Sequence, residues 1–366
     1  MFYYIFYPLR EVWFGFNIFK YITFRAGCAA VMAFLITVIF GKPIIAKLKS
    51  LKVGEHIRSG KYYEDLHERH KGKEGTPTMG GLIILLAVML ATLFWARLAT
   101  LQVQVIIISS LWLGVIGFID DWIKLRGFGK RGLSGKVKLA GQVILGLGIG
   151  LYLLYHPETG SYAGHLRIPF YKYVLHDIGI FSVLFTILVL VGSTNAVNLT
   201  DGLDGLAIGC LSIAALAFAA LAYVSGHAQF AKYLQILYIP GAGELTVFCA
   251  ALGGAGLGFL WFNAYPAQVF MGDTGALACG GAIGTVAVLI KKELFLILIG
   301  GVFVVEAISV ILQVLSFKLR GRRVFKMAPL HHHFEMKHIP ETKITVRFWI
   351  CAVISALIGL GALKMR

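Results

Sequence analysis

Charge is scarce in this 366-residue chain: Asp, Glu, Lys and Arg together make up 14% of it, against 58% hydrophobic residues. A soluble domain carries about 25% charged residues, so an ordinary water-soluble fold is excluded. Acidic residues are scarcer still, 18 against 34 Lys and Arg, for a net charge of +16. Cysteine is limited to Cys28, Cys210, Cys249, Cys279 and Cys351, all inside apolar stretches and none in a CxxC pair. That excludes a disulfide framework and a cysteine zinc site, and it leaves the cysteines as small core residues. There is no cleavable signal pattern, because the first apolar run, 21–45, is too long and lacks a cationic start. No fixed-period repeat or low-complexity linker divides the chain, so 1–366 reads as one integral-membrane domain.

What the chain has instead is long, continuous apolar runs. About 18–20 such residues span a bilayer, and an outer-membrane barrel would show short alternating segments. The expected fold is an all-α polytopic membrane protein with ten spans: 22–45, 78–96, 101–119, 137–155, 178–196, 203–224, 243–262, 275–290, 294–315 and 345–363. In a soluble protein the positive charge would point to nucleic acid. Here the positive-inside rule accounts for it, and no nucleic-acid partner is expected. Lys and Arg concentrate in the loops after spans one, three and nine, and the alternate loops are poor in them. This pattern turns those three loops toward the cytoplasm and both termini outward. The outer loop 156–177 contains HLRIPFYKYVL, which suits a short hairpin.

Five aspartates stand where the runs break: Asp120 and Asp121 in GFIDDW, Asp201 and Asp204 in NAVNLTDGLDG, and Asp273 in FMGDTG. The topology puts all five on the cytoplasmic face. The loops after spans five and seven hold no Lys or Arg, so they are not orientation signals. Carboxylates bordering hydrocarbon are costly to desolvate and mark function by default. Grouped in a basic protein, they suit a divalent cation that bridges to an anionic substrate.

Each segment also has a plainer reading. Asp120 and Asp121 point about 100° apart on a helix, toward two partners or simply toward a polar helix end. Asn198, Asp201 and Asp204 are three apart, which places them on one helical face, and Asp201 is also placed to N-cap the next span. Asp273 precedes an apolar helix, as a cap or a magnesium ligand, and Gly272 and Gly275 beside it allow backbone N–H groups near a phosphate. Phe262, Asn263 and Phe270 suit either a base stack or packing. The GTPTMGG turn with Lys73, and Lys136 and Lys138 near Asp120, suit phosphate pairing, although loop lysines are usually topology signals. His331, His332 and His333 are consecutive and cannot converge on one metal, so phosphate contact fits them better than zinc. Glu306, inside span nine, is either neutral and hydrogen-bonded or faces a cavity.

Together the segments resemble the phospho-N-acetylmuramoyl-pentapeptide transferase family of polyprenyl-phosphate sugar-phosphate transferases. The resemblance rests on GTPTMGG at 75–81, GFIDD at 117–121, NAVNLTDGLDGLA at 195–207, GFLWFNAYPAQVFMGDTG at 258–275 and FKMAPLHHHFE at 325–335, in family order along the whole chain. It implies transfer of phospho-MurNAc-pentapeptide from UDP-MurNAc-pentapeptide to undecaprenyl phosphate, giving lipid I and UMP with Mg2+. It further implies a multi-pass protein of the bacterial inner membrane, with a homodimer and other cell-wall enzymes as candidate partners. On this resemblance Asp273 binds the metal, Asp120 acts on the lipid phosphate, and Asp121 supports it with Lys136 or Lys138. Lys73, Asn198, Asp201, Asp204, Asn263 and Phe270 shape the nucleotide and diphosphate pocket, and His331, His332 and His333 contact phosphate and orient the donor. A relative using another UDP-sugar is the alternative. A secondary transporter is the competing class, and it fits poorly because the acids gather at one face and not at the midplane.

Overall fold

The computed structural model describes residues 1–51, 73, 75–126, 132–171 and 177–364. The loop charges Lys52, Arg58, Lys61, Arg69, Lys71, Lys130, Arg131 and Lys172 lie outside the described residues. Ten helices carry the architecture: α1 (Ile22–Ser50), α2 (Gly81–Trp95), α3 (Leu101–Arg126), α4 (Gly135–Tyr155), α5 (Phe181–Thr200), α6 (Leu206–Ser225), α7 (Glu244–Asn263), α8 (Gly272–Leu289), α9 (Gly301–Arg320) and α10 (Glu341–Gly361). Among the described residues, nine are long and apolar enough to cross a membrane. The exception is α2, which has 15 residues where a longer span was expected. The expected ninth span is broken. Phe295–Ile299 forms a separate turn, and α9 begins after Gly300, where paired glycines weaken the helix. In the outer loop, His165 and Asp177 form an antiparallel bridge, and residues 172–176 of the expected hairpin lie outside the described residues.

Helices α7 and α8 form the centre and are almost wholly buried. In α7, neighbours are α1, α6 and α2; in α8, they are α3, α5 and α2. Both helices are rich in Gly and Ala, and small residues let backbones approach closely where lipid supplies no hydrophobic drive. A side-chain methyl at Gly254 would collide with the backbone of Ala30 in α1, and one at Gly117 with the backbone of Asp273 in α8. The second contact bears on the chemistry, because it sets the distance between the helix carrying Asp120 and the helix carrying Asp273. The outer helices bury one side only. In α9 the buried residues are Val302, Phe303, Glu306 and Ser309, while Ile308, Ile311, Leu312 and Leu315 are exposed. Two cysteines depart from the core reading: Cys351 is exposed and Cys28 only half-buried, because each lies on the outward face of its helix.

One end of the bundle is closed by a buried ion pair. Arg25, near the start of α1, forks onto Glu244 at the start of α7, with both N–O distances 2.6 Å. Arg25 also donates to the Trp95 carbonyl, and Glu244 accepts the Arg97 backbone N–H. The Met1 amine donates to the carbonyls of Leu93 and Phe94 beside this pair, at the last turn of α2. The functional segments lie at the opposite ends of α1, α2 and α7. Breaking the fork from one side strands a buried charge, which typically costs about 3–5 kcal/mol. Arg25→Met should therefore lower the thermal unfolding temperature in detergent markedly, and Arg25→Met with Glu244→Leu should recover part of the loss.

Candidate active site

Three carboxylates from two helices meet at the other end. Asp120 and Asp121 belong to the last turns of α3, which continues to Arg126, past the expected end of the span. Asp273 is in the first turn of α8. Their carboxylate oxygens lie within 4.8 Å of one another. Two lysines hold them together. Lys124, one turn beyond Asp120 on the same helix, is 2.5 Å from Asp120 Oδ2 and 3.1 Å from Asp273 Oδ2. Lys138, at the start of α4, is 2.9 Å from Asp120 Oδ2 and also pairs with Asp273 Oδ2. Lys136 is exposed and makes no ion pair among the described residues, so geometry separates the two candidate lysines. Asn198, near the end of α5, donates to Asp273 Oδ1 at 2.8 Å.

The carboxylates do different work. Asp121 accepts the Thr274 backbone N–H at 2.9 Å, the Thr274 hydroxyl at 2.7 Å and the Asp273 N–H at 3.3 Å. It therefore caps α8 from another helix, where the helix dipole favours an anion. The N–H groups of Asp273 and Thr274 are thus taken by Asp121. Gly275 serves packing instead: a methyl at Gly81 would collide with its backbone. Asp120 Oδ1 accepts the Leu133 N–H at 2.7 Å, while its buried Oδ2 has ion-pair neighbours but no well-aligned hydrogen bond. A buried oxygen with spare acceptor capacity, beside two further carboxylates, is a donor set suited to a hard divalent cation.

The GTPTMGG turn is likewise occupied. Gly80 and Gly81 donate to the carbonyls of Phe270 and Met271, and Phe270 donates back to Pro77. The turn fastens the FMGDTG segment in place. Lys71, Gly72 and Glu74, just before the motif, lie outside the described residues.

A second charged group forms beside the first. Helix α5 ends at Thr200, and the chain turns through 201–205, so Asn198, Asp201 and Asp204 do not share a helical face. Asp201 is the C-cap of α5, and Gly205, with φ +73°, precedes α6 where Asp201 was expected to cap. Asp204 Oδ1 pairs with Lys73 at 2.8 Å, and Lys73 reaches Glu341 Oε1 at 2.6 Å. Glu341 also accepts the Asp204 N–H, and Asp204 Oδ2 accepts the Ala267 N–H. Burial works against the charge on Lys73, but Glu341 and Asp204 outweigh it and hold its pKa above the ordinary lysine value. Asn263 is buried and joins Gly205 N to Val269 O, and Phe262 packs against Gly41. Both side chains are buried, and Phe270 is half-buried beside them.

The histidines diverge along the short helix Leu330–Glu335. His331 is buried against Glu306, His332 meets Glu335 at 2.6 Å, and His333 accepts the Lys326 N–H. Slight burial and the charges of Lys337 and Lys326 hold the His333 pKa below the ordinary histidine value. Only His332 and His333 keep some exposure for a phosphate. Sequence reasoning missed two residues, Lys124 and Glu341. The signal for Lys124 was its i+4 spacing from Asp120. Glu341 offered only its place before an apolar run.

Comparison with known proteins gives the family. The sequence model for glycosyl transferase family 4 matches residues 103–291, and the phospho-N-acetylmuramoyl-pentapeptide-transferase signature 1 matches 73–85. The chain is 53% identical to the phospho-N-acetylmuramoyl-pentapeptide-transferase of Thermodesulfovibrio yellowstonii, over all of both chains. It is 49% identical to that of Citrifermentans bemidjiense, again over all of both chains. It is 53% identical to that of Methylacidiphilum infernorum over 96% of each. If Asp121 caps α8 as the geometry shows, Asp121→Ala should lower stability by about 1–2 kcal/mol in detergent unfolding, the usual loss for a cap. An unchanged midpoint would contradict that role.

Proposed function

The chain belongs to the phospho-N-acetylmuramoyl-pentapeptide transferase family, and we propose that the carboxylate end of its bundle carries that family's reaction. Phospho-MurNAc-pentapeptide moves from UDP-MurNAc-pentapeptide to undecaprenyl phosphate, and the products are lipid I and UMP. The observation that supports this most directly is the three-aspartate, two-lysine cluster standing at the ends of apolar helices. A lipid phosphate reaches such a place from the bilayer and a nucleotide sugar reaches it from water. We place the protein in the bacterial inner membrane, with this end cytoplasmic and both termini outside, because the lysine- and arginine-rich loops emerge here.

The charge balance suits phosphoryl transfer. Three carboxylates against Lys124 and Lys138 leave one net negative charge, which repels phosphate. Magnesium, bound through Asp273 with Asp120 and Asp121 beside it, would reverse that sign and neutralise charge on the diphosphate. Lys138 and Lys124 hold Asp120 and Asp273 in place and offer cationic partners to the incoming phosphates. An oxygen of the lipid phosphate forms a bond to the β-phosphorus of the donor. The bond from that phosphorus to the bridging oxygen breaks, and UMP leaves with it. A phosphate monoester, its second pKa about 6, is already largely dianionic near neutral pH and needs little base help. Asp121 is engaged as a cap, and the two lysines beside Asp120 draw on its charge, so a phosphate dianion is the stronger nucleophile here. Direct attack fits this geometry better than a phospho-aspartyl route. Catalysis then consists of alignment and charge neutralisation. On the donor side, Lys73 with Asp204 and Glu341, and Asp201 and Phe270 nearby, form the nucleotide end of the site.

Two outcomes test this reading. Asp273→Asn should abolish magnesium-dependent UMP release while leaving expression and thermal stability near wild type; full activity would sink the metal assignment. Lys138→Ala should lower kcat by about 10²–10³, the size of a lost electrostatic contact in the transition state. Lys136→Ala should stay within about threefold, as a surface substitution does. Equal losses in the two lysine variants would contradict the geometry.

A further inference from the structure

The first half of α10 carries Glu341, Thr345 and Trp349 at four-residue intervals, the spacing of one helical face, and α10 packs on α6. Polar groups turned toward a neighbouring helix are costly unless they are hydrogen-bonded. Here each one is bonded, and the partners are the backbone groups of two consecutive residues. Glu341 accepts the Asp204 N–H at 2.8 Å. The Thr345 hydroxyl donates to the Asp204 carbonyl at 3.3 Å, and Trp349 Nε1–H donates to the Gly205 carbonyl at 3.1 Å. The indole also lies against α6 at Gly209, where a methyl group would collide with it.

The turn gripped in this way has little of its own to hold it. Gly205 stands at φ +73° before α6, and no side chain caps that helix. The Asp204 carboxylate is used elsewhere: Oδ1 pairs with Lys73, and Oδ2 accepts the Ala267 N–H. Glu341 is the second carboxylate on Lys73. An ammonium has three N–H donors, and Asp204 and Glu341 take two of them. The place of Lys73 is therefore set by one carboxylate on α10 and by another on a turn whose backbone hangs from α10. Packing alone would call for an apolar stripe; this face instead binds the backbone on both sides of the Asp204 side chain.

We propose that Thr345 and Trp349, together with Glu341, are positioning residues for the donor: through the backbone of Asp204 and Gly205 they hold Lys73 in place for the nucleotide sugar. Thr345 and Trp349 touch no substrate. The proposal rests on the reading that the donor binds on the Asp204 side.

The test is steady-state transfer by the full-length protein in detergent, with the nucleotide sugar and undecaprenyl phosphate varied in turn. Trp349→Phe keeps an aromatic ring and loses the indole N–H, and Thr345→Val loses only the hydroxyl bond. Each should raise the donor KM about fivefold, the size of one lost hydrogen bond, and leave kcat and the lipid KM unchanged. Gly209→Ala should do the same with both residues intact, because it pushes the indole from the α6 side. A donor KM at the wild-type value in these variants, or a lipid KM that rises equally, would overturn the proposal. A second readout needs no turnover. In protein labelled with fluorotryptophan, saturating UDP should shift the fluorine resonance that Trp349→Phe removes; a resonance that stays in place would count against the proposal. Lys73→Ala separates the two levels of the argument. If it leaves the donor KM at the wild-type value, the reading that the donor binds here fails. If it raises the donor KM and the α10 variants do not, the positioning proposal alone fails.

Discussion

Three carboxylates within 4.8 Å of one another repel strongly, and this end of the structure is organised around that repulsion. Lys124 and Lys138 stand between Asp120 and Asp273. Asp121 lies 3.7 Å from Lys124 and accepts the N–H groups at the start of α8. The close approach of α3 and α8 requires Gly117, because any larger residue there would push Asp273 away from Asp120. The same demand extends to Gly81 and Gly275, which let α2 close over the start of α8. The glycine content of the central helices thus follows from the chemistry as much as from packing without a hydrophobic drive.

The second charged group repeats the logic with the same balance, one carboxylate in excess. One lysine, Lys73, sits between two carboxylates, Asp204 and Glu341. The two groups are tied through the end of α5, where Asn198 binds Asp273 and the following turn carries Asp204. A change on one side therefore reaches the other through one short, rigid segment. Far from both, the Arg25–Glu244 fork fixes the starts of α1 and α7. Holding one end of these helices leaves the other end free to be shaped by its charges.

Much of the fold was legible because hydrocarbon imposes a strong length rule. Apart from α9, which starts at Gly301 after the broken turn, every helix start lies within four residues of the start read from the apolar runs. The break at Gly300 was not legible, since apolar residues continue on both sides and hydropathy cannot distinguish one helix from two. The aspartates were legible because a charge beside an apolar run has no ordinary reason to be there. Their partners were harder. Lys124 looked like the other loop lysines, and only the continuation of α3 to Arg126 brings it over Asp120. Glu341 and Lys73 are 268 residues apart and meet only because α10 packs on α6. The three-residue spacing of Asn198, Asp201 and Asp204 misled, because Gly202 and Gly205 end the helix that the spacing presupposes. Asn263 braces Gly205 against Val269 and Phe262 fills the space beside Gly41, contacts that residue type alone does not reveal.

The account stands on the claim that the cluster becomes competent for transfer only when a divalent cation reverses its charge. The direct measurement is UMP and lipid I production by the purified protein, given UDP-MurNAc-pentapeptide and undecaprenyl phosphate, as magnesium is titrated from chelator-treated zero. The account predicts no product at zero magnesium, saturable restoration on addition, and one lipid I for each UMP. Sustained turnover in the presence of chelator would contradict it.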